Sequence, residues 1–106
     1  MAYEAMLSAL GDGTRRLVFE RLRNGPCSVA ALAEGLPVSR PAVSQHLKIL
    51  KEAGMVTDQV QGTRRVYRMS HDGLAVLRSW VDGLWQNATD IDQAEIQRQI
   101  DERKCT

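Results

Sequence analysis

Val38-Ser39-Arg40-Pro41-Ala42-Val43-Ser44-Gln45-His46-Leu47-Lys48-Ile49-Leu50-Lys51-Glu52-Ala53-Gly54 is the stretch on which the fold turns. Ser39 is a good helix N-cap. Proline is tolerated in the first turn because its missing N–H would have had no helical partner there. The spacing predicts a helix that starts at Arg40-Pro41, runs to Ala53 and stops at Gly54. Val43, Leu47 and Leu50 recur at i, i+4 and i+7 and must face a core. Arg40, Ser44, Lys48 and Lys51 climb a different face, with Gln45 beside them. The helix therefore carries a basic, hydrogen-bonding surface as well as a buried one.

Upstream, Ser28 suits the N-cap of a short helix over 29–34, with Gly35 at its C′ position. Leu36-Pro37-Val38 is too short for an element of its own, so two helices meet through a tight connection, which is a helix-turn-helix layout. Earlier still, Tyr3, Met6, Leu7 and Leu10 predict a short amphipathic helix ending at Gly11. Asp12 then caps a second helix over 14–23, and Asn24-Gly25-Pro26 ends that one. Arg15 and Arg16 stand in its first turn, where cations oppose the helix dipole, and a backbone phosphate or a partner carboxylate would compensate them.

After Gly54 the period changes from helical to two. The runs 56–61 and 64–69 flank Gly62-Thr63, and glycine at the first turn position suits a type II′ hairpin. In that register Val56 and Val60 share a face with Tyr67 and Met69, and Arg64 and Arg68 share the other with Gln59 and Gln61. Asp58 interrupts the apolar face, which leaves a wider loop open. Either way a hairpin with arginines at its tip follows the helix pair, as a wing. From Asp72 the period is helical again, with Leu74, Leu77, Val81, Leu84, Ala88 and Ile91 spaced 3, 4, 3, 4 and 3 apart.

Trp80 and Trp85 broaden that last stripe beyond what so small a core can cover. It reads, with the first helix, as a subunit interface made of Tyr3, Met6, Leu7, Leu10, Leu74, Leu77, Val81, Leu84, Trp85 and Ala88. A ligand pocket lined by the two tryptophans is the other reading. Residues 101–106 are expected to form a frayed tail.

At 106 residues, 43% apolar and 25% charged, the chain suits one compact domain over 1–106. The expected parts are dimerisation helices at 1–10 and 72–100, a helix-turn-helix at 28–54 and a wing at 55–70. The class is mainly α with a small β-hairpin. No apolar run approaches the roughly 20 residues needed to cross a bilayer, and Met1-Ala2-Tyr3-Glu4 lacks the basic start of a signal peptide, which predicts a cytoplasmic protein without a membrane partner.

The net charge of +1 is unevenly spread: −2 over 1–12, +6 over 13–68 and −3 over 69–106. A basic centre between acidic ends fits a nucleic-acid footprint in the middle. Cys27 and Cys105 form no CxxC, so neither a disulfide scaffold nor a closed zinc site is indicated. With no Ser/His/Asp or Cys/His spacing, phosphate-binding glycine loop or paired carboxylates, the sequence does not read as an enzyme, and it implies no cofactor.

The order of elements and four motifs resemble the ArsR/SmtB family of bacterial winged-helix repressors. The motifs are 9–16 (Ala-Leu-Gly-Asp-Gly-Thr-Arg-Arg), 28–33 (Ser-Val-Ala-Ala-Leu-Ala), the long run 38–56 and 62–68 (Gly-Thr-Arg-Arg-Val-Tyr-Arg). The resemblance covers roughly residues 5–90, and the run 38–56 is its most specific part. It implies a homodimer, paired through its first and last helices, that binds a near-palindromic operator and is released by a signal. Metal-sensing members carry Cys-x-Cys before the recognition helix or Asp and His ligands along the last helix. Here 29–34 has no cysteine and the last helix offers only His71, Asp72 and Asp82, so neither ligand set is complete and no metal site is expected.

A recognition helix fits the major groove, where Arg pairs with guanine and Gln with adenine, while Ser and Lys more often hold phosphates. Base reading is accordingly assigned to Arg40 and Gln45 with Ser44 and His46, and phosphate contacts to Ser39 and Lys48. Arg64 and Arg65 are assigned to the adjacent minor groove or its backbone. For His46, beside Val43 and Leu50, packing at the edge of the core is an equal reading. Two other functions remain open: a redox-responsive repressor using Cys27 and Cys105, and a winged-helix module whose basic face meets an acidic protein. The inducer is not legible.

Overall fold

The computed structural model describes residues 2–104, with side chains described through Asp101. Its elements are α1 (Ala2–Leu10), α2 (Gly13–Arg21) with a 3₁₀ turn at Leu22–Asn24, β1 (Cys27–Ser28), α3 (Val29–Ala33), α4 (Arg40–Glu52), β2 (Val56–Gln61), β3 (Arg64–Met69) and α5 (His71–Lys104). The three helix starts expected from capping residues are all present. Asp12 accepts from the Arg15 N–H at 2.9 Å, Ser28 from the Ala31 N–H at 3.2 Å and Ser39 from the Ala42 N–H at 3.3 Å. The bond from Arg15 is the main reason the Asp12 carboxyl titrates below its ordinary value.

Val43, Leu47 and Leu50 of α4 are fully buried and meet Val18 and Leu22 behind α2, Leu32 of α3, and Met55 and Val56 after the α4 turn. Burying each large aliphatic side chain of this kind contributes about 1.5–3 kcal/mol, so the recognition helix is held by its own apolar stripe. Arg21 pins the end of α3 by donating to the carbonyls of Glu34 at 3.2 Å and Gly35 at 3.1 Å. Arg15 and Arg16 find their compensation within the chain. They donate to the carbonyls of Ala9 at 3.2 Å and Leu10 at 3.0 Å, at the negative end of α1.

The hairpin has the expected register: Gln61 faces Arg64 across a two-residue turn, and Val56 faces Met69. Gly62 takes φ +65° and Thr63 is not in the left-handed region, which is the II′ geometry, so the wider loop does not form. The sheet has a third strand that sequence patterning did not predict. Cys27 pairs opposite Tyr67 and Ser28 opposite Val66, giving the order β1-β3-β2, all antiparallel. Cys27 therefore belongs to a strand rather than a loop.

Ser70 caps α5 by accepting from the Gly73 N–H at 3.1 Å. A Cβ on Gly73 would stand 2.0 Å from the Gly54 carbonyl oxygen, so the first turn of α5 lies against the turn that closes α4, and only glycine fits there. The helix continues through Lys104, beyond the point where fraying was expected. Polar pairs support its outer half, with Arg98 3.4 Å from Glu95 and Gln97 donating to Asp101 at 3.1 Å. At 34 residues it is about 50 Å long, and the whole chain extends 74 Å.

Candidate nucleic-acid interface

α4 shows solvent a continuous polar strip. Arg40, Ser44, Gln45 and Lys48 are all exposed on the sides away from Val43, Leu47 and Leu50. Ser39, also exposed, spends a lone pair on its cap, and its hydroxyl proton stays free to donate. His46 is half-buried, and its Nδ1 is buried without a hydrogen-bond partner among the described residues, which places the ring at the core edge rather than on the exposed strip.

The wing stands beside the N-terminal end of α4. Between them lies an open cleft of about 580 Å³ lined by Ser28, Val29, Ala30, Ala31, Glu34, Arg40, Arg64 and Arg65. Three guanidinium groups from two elements thus border one cleft. The two arginines of the wing do not act alike, because successive strand residues point to opposite faces. Arg64 shares its face with Gln59, Gln61 and Arg68, and the Arg68 guanidinium donates to Gln59 Oε1 at 3.1 Å. Arg65 lies on the other face and is drawn to Asp58. Arg65, expected to reach DNA beside Arg64, borders the same cleft and is at the same time ion-paired with Asp58.

Asp58 also resolves its own oddity on the apolar face. Lys51 of α4 approaches its Oδ1 at 2.8 Å and Arg65 approaches its Oδ2, and its side chain is 8% exposed. These two hydrogen bonds, Lys51's the larger, hold the carboxyl below its ordinary value, and the same contact raises Arg65. Sequence reading placed Lys51 on the basic face and noted Asp58 as a break in the pattern. It had no means of joining them, since they sit on different elements.

The faces of α1 and α5 show a different condition. Leu7, Leu74, Val81, Leu84, Trp85 and Ala88 are exposed, Leu84 at 51% and Trp85 at 73%. Tyr3 is half-buried and stacks on Trp80, with ring centroids 5.4 Å apart at 17°. Met6, expected on the interface, turns into the subunit's own core at 3% exposed, because it lies on the side of α1 that meets the other helices. Leu10 and Leu77 pack partly against that core.

Cys27 is half-buried, with Sγ 3.6 Å from the Gly25 carbonyl oxygen, and Cys105 lies outside the described residues. Among the described residues no three His, Cys, Asp or Glu side chains gather closely enough to hold a metal ion. No described helix is long and apolar enough to cross a membrane.

A recognition helix and an adjacent wing that share one basic face define a winged helix-turn-helix DNA-binding protein. Known proteins agree. A helix-turn-helix domain family model matches residues 10–59. The HTH-type transcriptional regulator Rv2034 of Mycobacterium tuberculosis is 59% identical over 80 residues, which are 76% of this chain and 75% of its own. The transcriptional repressor SmtB of the same species is 41% identical over 66% of this chain and 52% of its own. A crystal structure described as a possible transcriptional regulator for arsenical resistance superposes with a TM-score of 0.68 at 43% identity, covering 74% of this chain and 82% of that one. The solution structure of the homodimeric winged helix-turn-helix domain of Mb0332 from Mycobacterium bovis gives 0.66 at 26% identity, covering 83% and 82%. The chain belongs to the ArsR/SmtB family of winged helix-turn-helix transcriptional regulators, and it is a DNA-binding regulator of transcription.

Proposed function

We propose that the whole chain works as one domain of a cytoplasmic homodimeric repressor, with no catalytic step, that lays two copies of α4 into successive major grooves of a near-palindromic operator. The observation that carries this reading is the division of labour between helices. α4 buries its apolar stripe inside the subunit and exposes Arg40, Ser44, Gln45 and Lys48, whereas α5 leaves Leu74, Val81, Leu84 and Trp85 uncovered. An apolar surface of that extent is what a second copy would cover. The homodimeric state of the Mb0332 domain and the repressor name of SmtB support the same assignment.

In this arrangement Arg40 and Gln45 read base edges with Ser44, while Ser39, Lys48 and Arg64 hold phosphates. Footprinting the region upstream of the chain's own coding sequence should show two protected half-sites with centres about one helical turn, roughly 34 Å, apart. Gln45→Ala should relax base preference. Lys48→Ala should weaken binding to every duplex alike and lower the salt slope by about 1. Equal losses on operator and random duplex for both variants would remove the assignment, and absence of protection would favour an acidic protein partner instead.

A further inference from the structure

Asp58 is the one carboxylate in the hairpin, and it shares its face with Val56, Val60, Tyr67, Met69 and Arg65. Its two oxygens are divided between two elements: Lys51 Nζ of α4 on Oδ1 at 2.8 Å and the Arg65 guanidinium of β3 on Oδ2. The Asp58 side chain is 8% exposed, while Lys51 and Arg65 keep about half of their side-chain surface in water, at 51% and 53%. A nearly buried anion thus holds two half-exposed cations that border the DNA-facing side. Neither cation can turn to a phosphate without weakening the compensation of that shielded charge.

We propose that Asp58 is a specificity-determining positioning residue. It ties the wing to the recognition helix and withholds Lys51 and Arg65 from the DNA backbone, so that phosphate contact falls on Lys48 and Arg64 and base reading on α4. The proposal rests on the reading that this face binds DNA. Its physical basis is that binding without sequence preference grows with the number of phosphates neutralised, each adding about 0.9 to the slope of log affinity against log salt. Two free cations added to this face would strengthen binding to any duplex, whatever its sequence. A wing released from α4 would at the same time loosen the geometry in which Arg40 and Gln45 meet base edges.

The test compares the wild-type chain with Asp58→Asn on an operator duplex selected by the wild-type protein and on a random-sequence duplex, across a salt series. Asn keeps the shape and removes the charge, and a thermal melt of each variant checks folding. The variant should bind random duplex roughly fivefold or more tightly at low salt and steepen the salt slope by between about 1 and 2. The ratio of operator to random affinity should fall. The double variant Asp58→Asn/Arg65→Gln should return the slope part of the way. If Asp58→Asn leaves random-duplex affinity and slope at wild-type values, or weakens both duplexes equally, the withholding role is overturned while operator binding by the wild type stands. A wild-type chain that selects no duplex overturns the DNA-binding reading of this face, and this role with it.

Discussion

α4 and α5 are both helices with an apolar repeat, yet the chain treats them differently. In α4 the stripe of Val43, Leu47 and Leu50 is fully covered by α2, α3 and the turn into the sheet, and the opposite side is polar. In α5 the first three turns touch the body, through Gly73, Leu77 and Trp80, and the rest of the stripe, from Val81 to Ile91, meets solvent within one subunit. A repeat shows that a face will be buried but not in what. For α4 the partner lies within the chain, and for α5 it lies outside it.

The largest expected effect falls on the covered helix. Leu47→Ala should lose about 2–5 kcal/mol of stability in a denaturant titration, the sum of lost transfer energy and the cavity left behind. On the uncovered helix, Leu84→Glu should leave secondary structure intact by circular dichroism and yield monomers by sedimentation. Operator affinity should fall about a hundredfold or more, because the second half-site no longer binds intramolecularly. If Leu84→Glu unfolds the subunit as Leu47→Ala does, α5 belongs to the subunit core and the contrast fails.

A smaller effect tests what starts α4. Ser39→Ala should cost about 1 kcal/mol through loss of the cap to the Ala42 N–H, and should weaken operator binding if the hydroxyl also holds a phosphate. Ser39→Asp separates the two roles: it restores the cap but repels phosphate, so stability should return without affinity. The smallest effect concerns the tie between α4 and the wing. Asp58 titrates below its ordinary value when folded, so its contribution is complete at neutral pH. It begins to fade as pH falls through the unfolded-state value of about 3.9 and is gone below the lowered native one. The difference in melting temperature between wild type and Asp58→Asn should be constant above about pH 5 and shrink below it. Asp12 shifts in the same direction but is present in both proteins, so it cancels in the difference.

Much of this was legible from the chain. Ser39 with Pro41, Ser28 with Gly35, and Asp12 each announce a helix start or stop, and each cap stands where expected. The pair Gly62-Thr63 also announced its turn, and with it the register that separates Arg64 from Arg65. β1 escaped notice because two residues carry no period. Arg15 and Arg16 looked uncompensated because the carbonyls that receive them lie six residues upstream, past a change of chain direction. Four apolar positions on a ten-residue helix fit a wide stripe, and that spacing alone puts Met6 on the outer face. Only the packing of α1 against its neighbours divides that stripe into an inner and an outer part.

Caps, turns and periodicity act over a few residues, where backbone sterics and local hydrogen bonds set the outcome whatever the rest of the molecule does. That is why the helix-turn-helix, the hairpin and the basic centre could be read without coordinates. The Lys51–Asp58–Arg65 tie, the covering of Met6 and the exposure of Leu84 depend on distances between elements that meet only after packing. Coulomb and hydrophobic terms act through space and not along the chain, so those features became visible only in three dimensions.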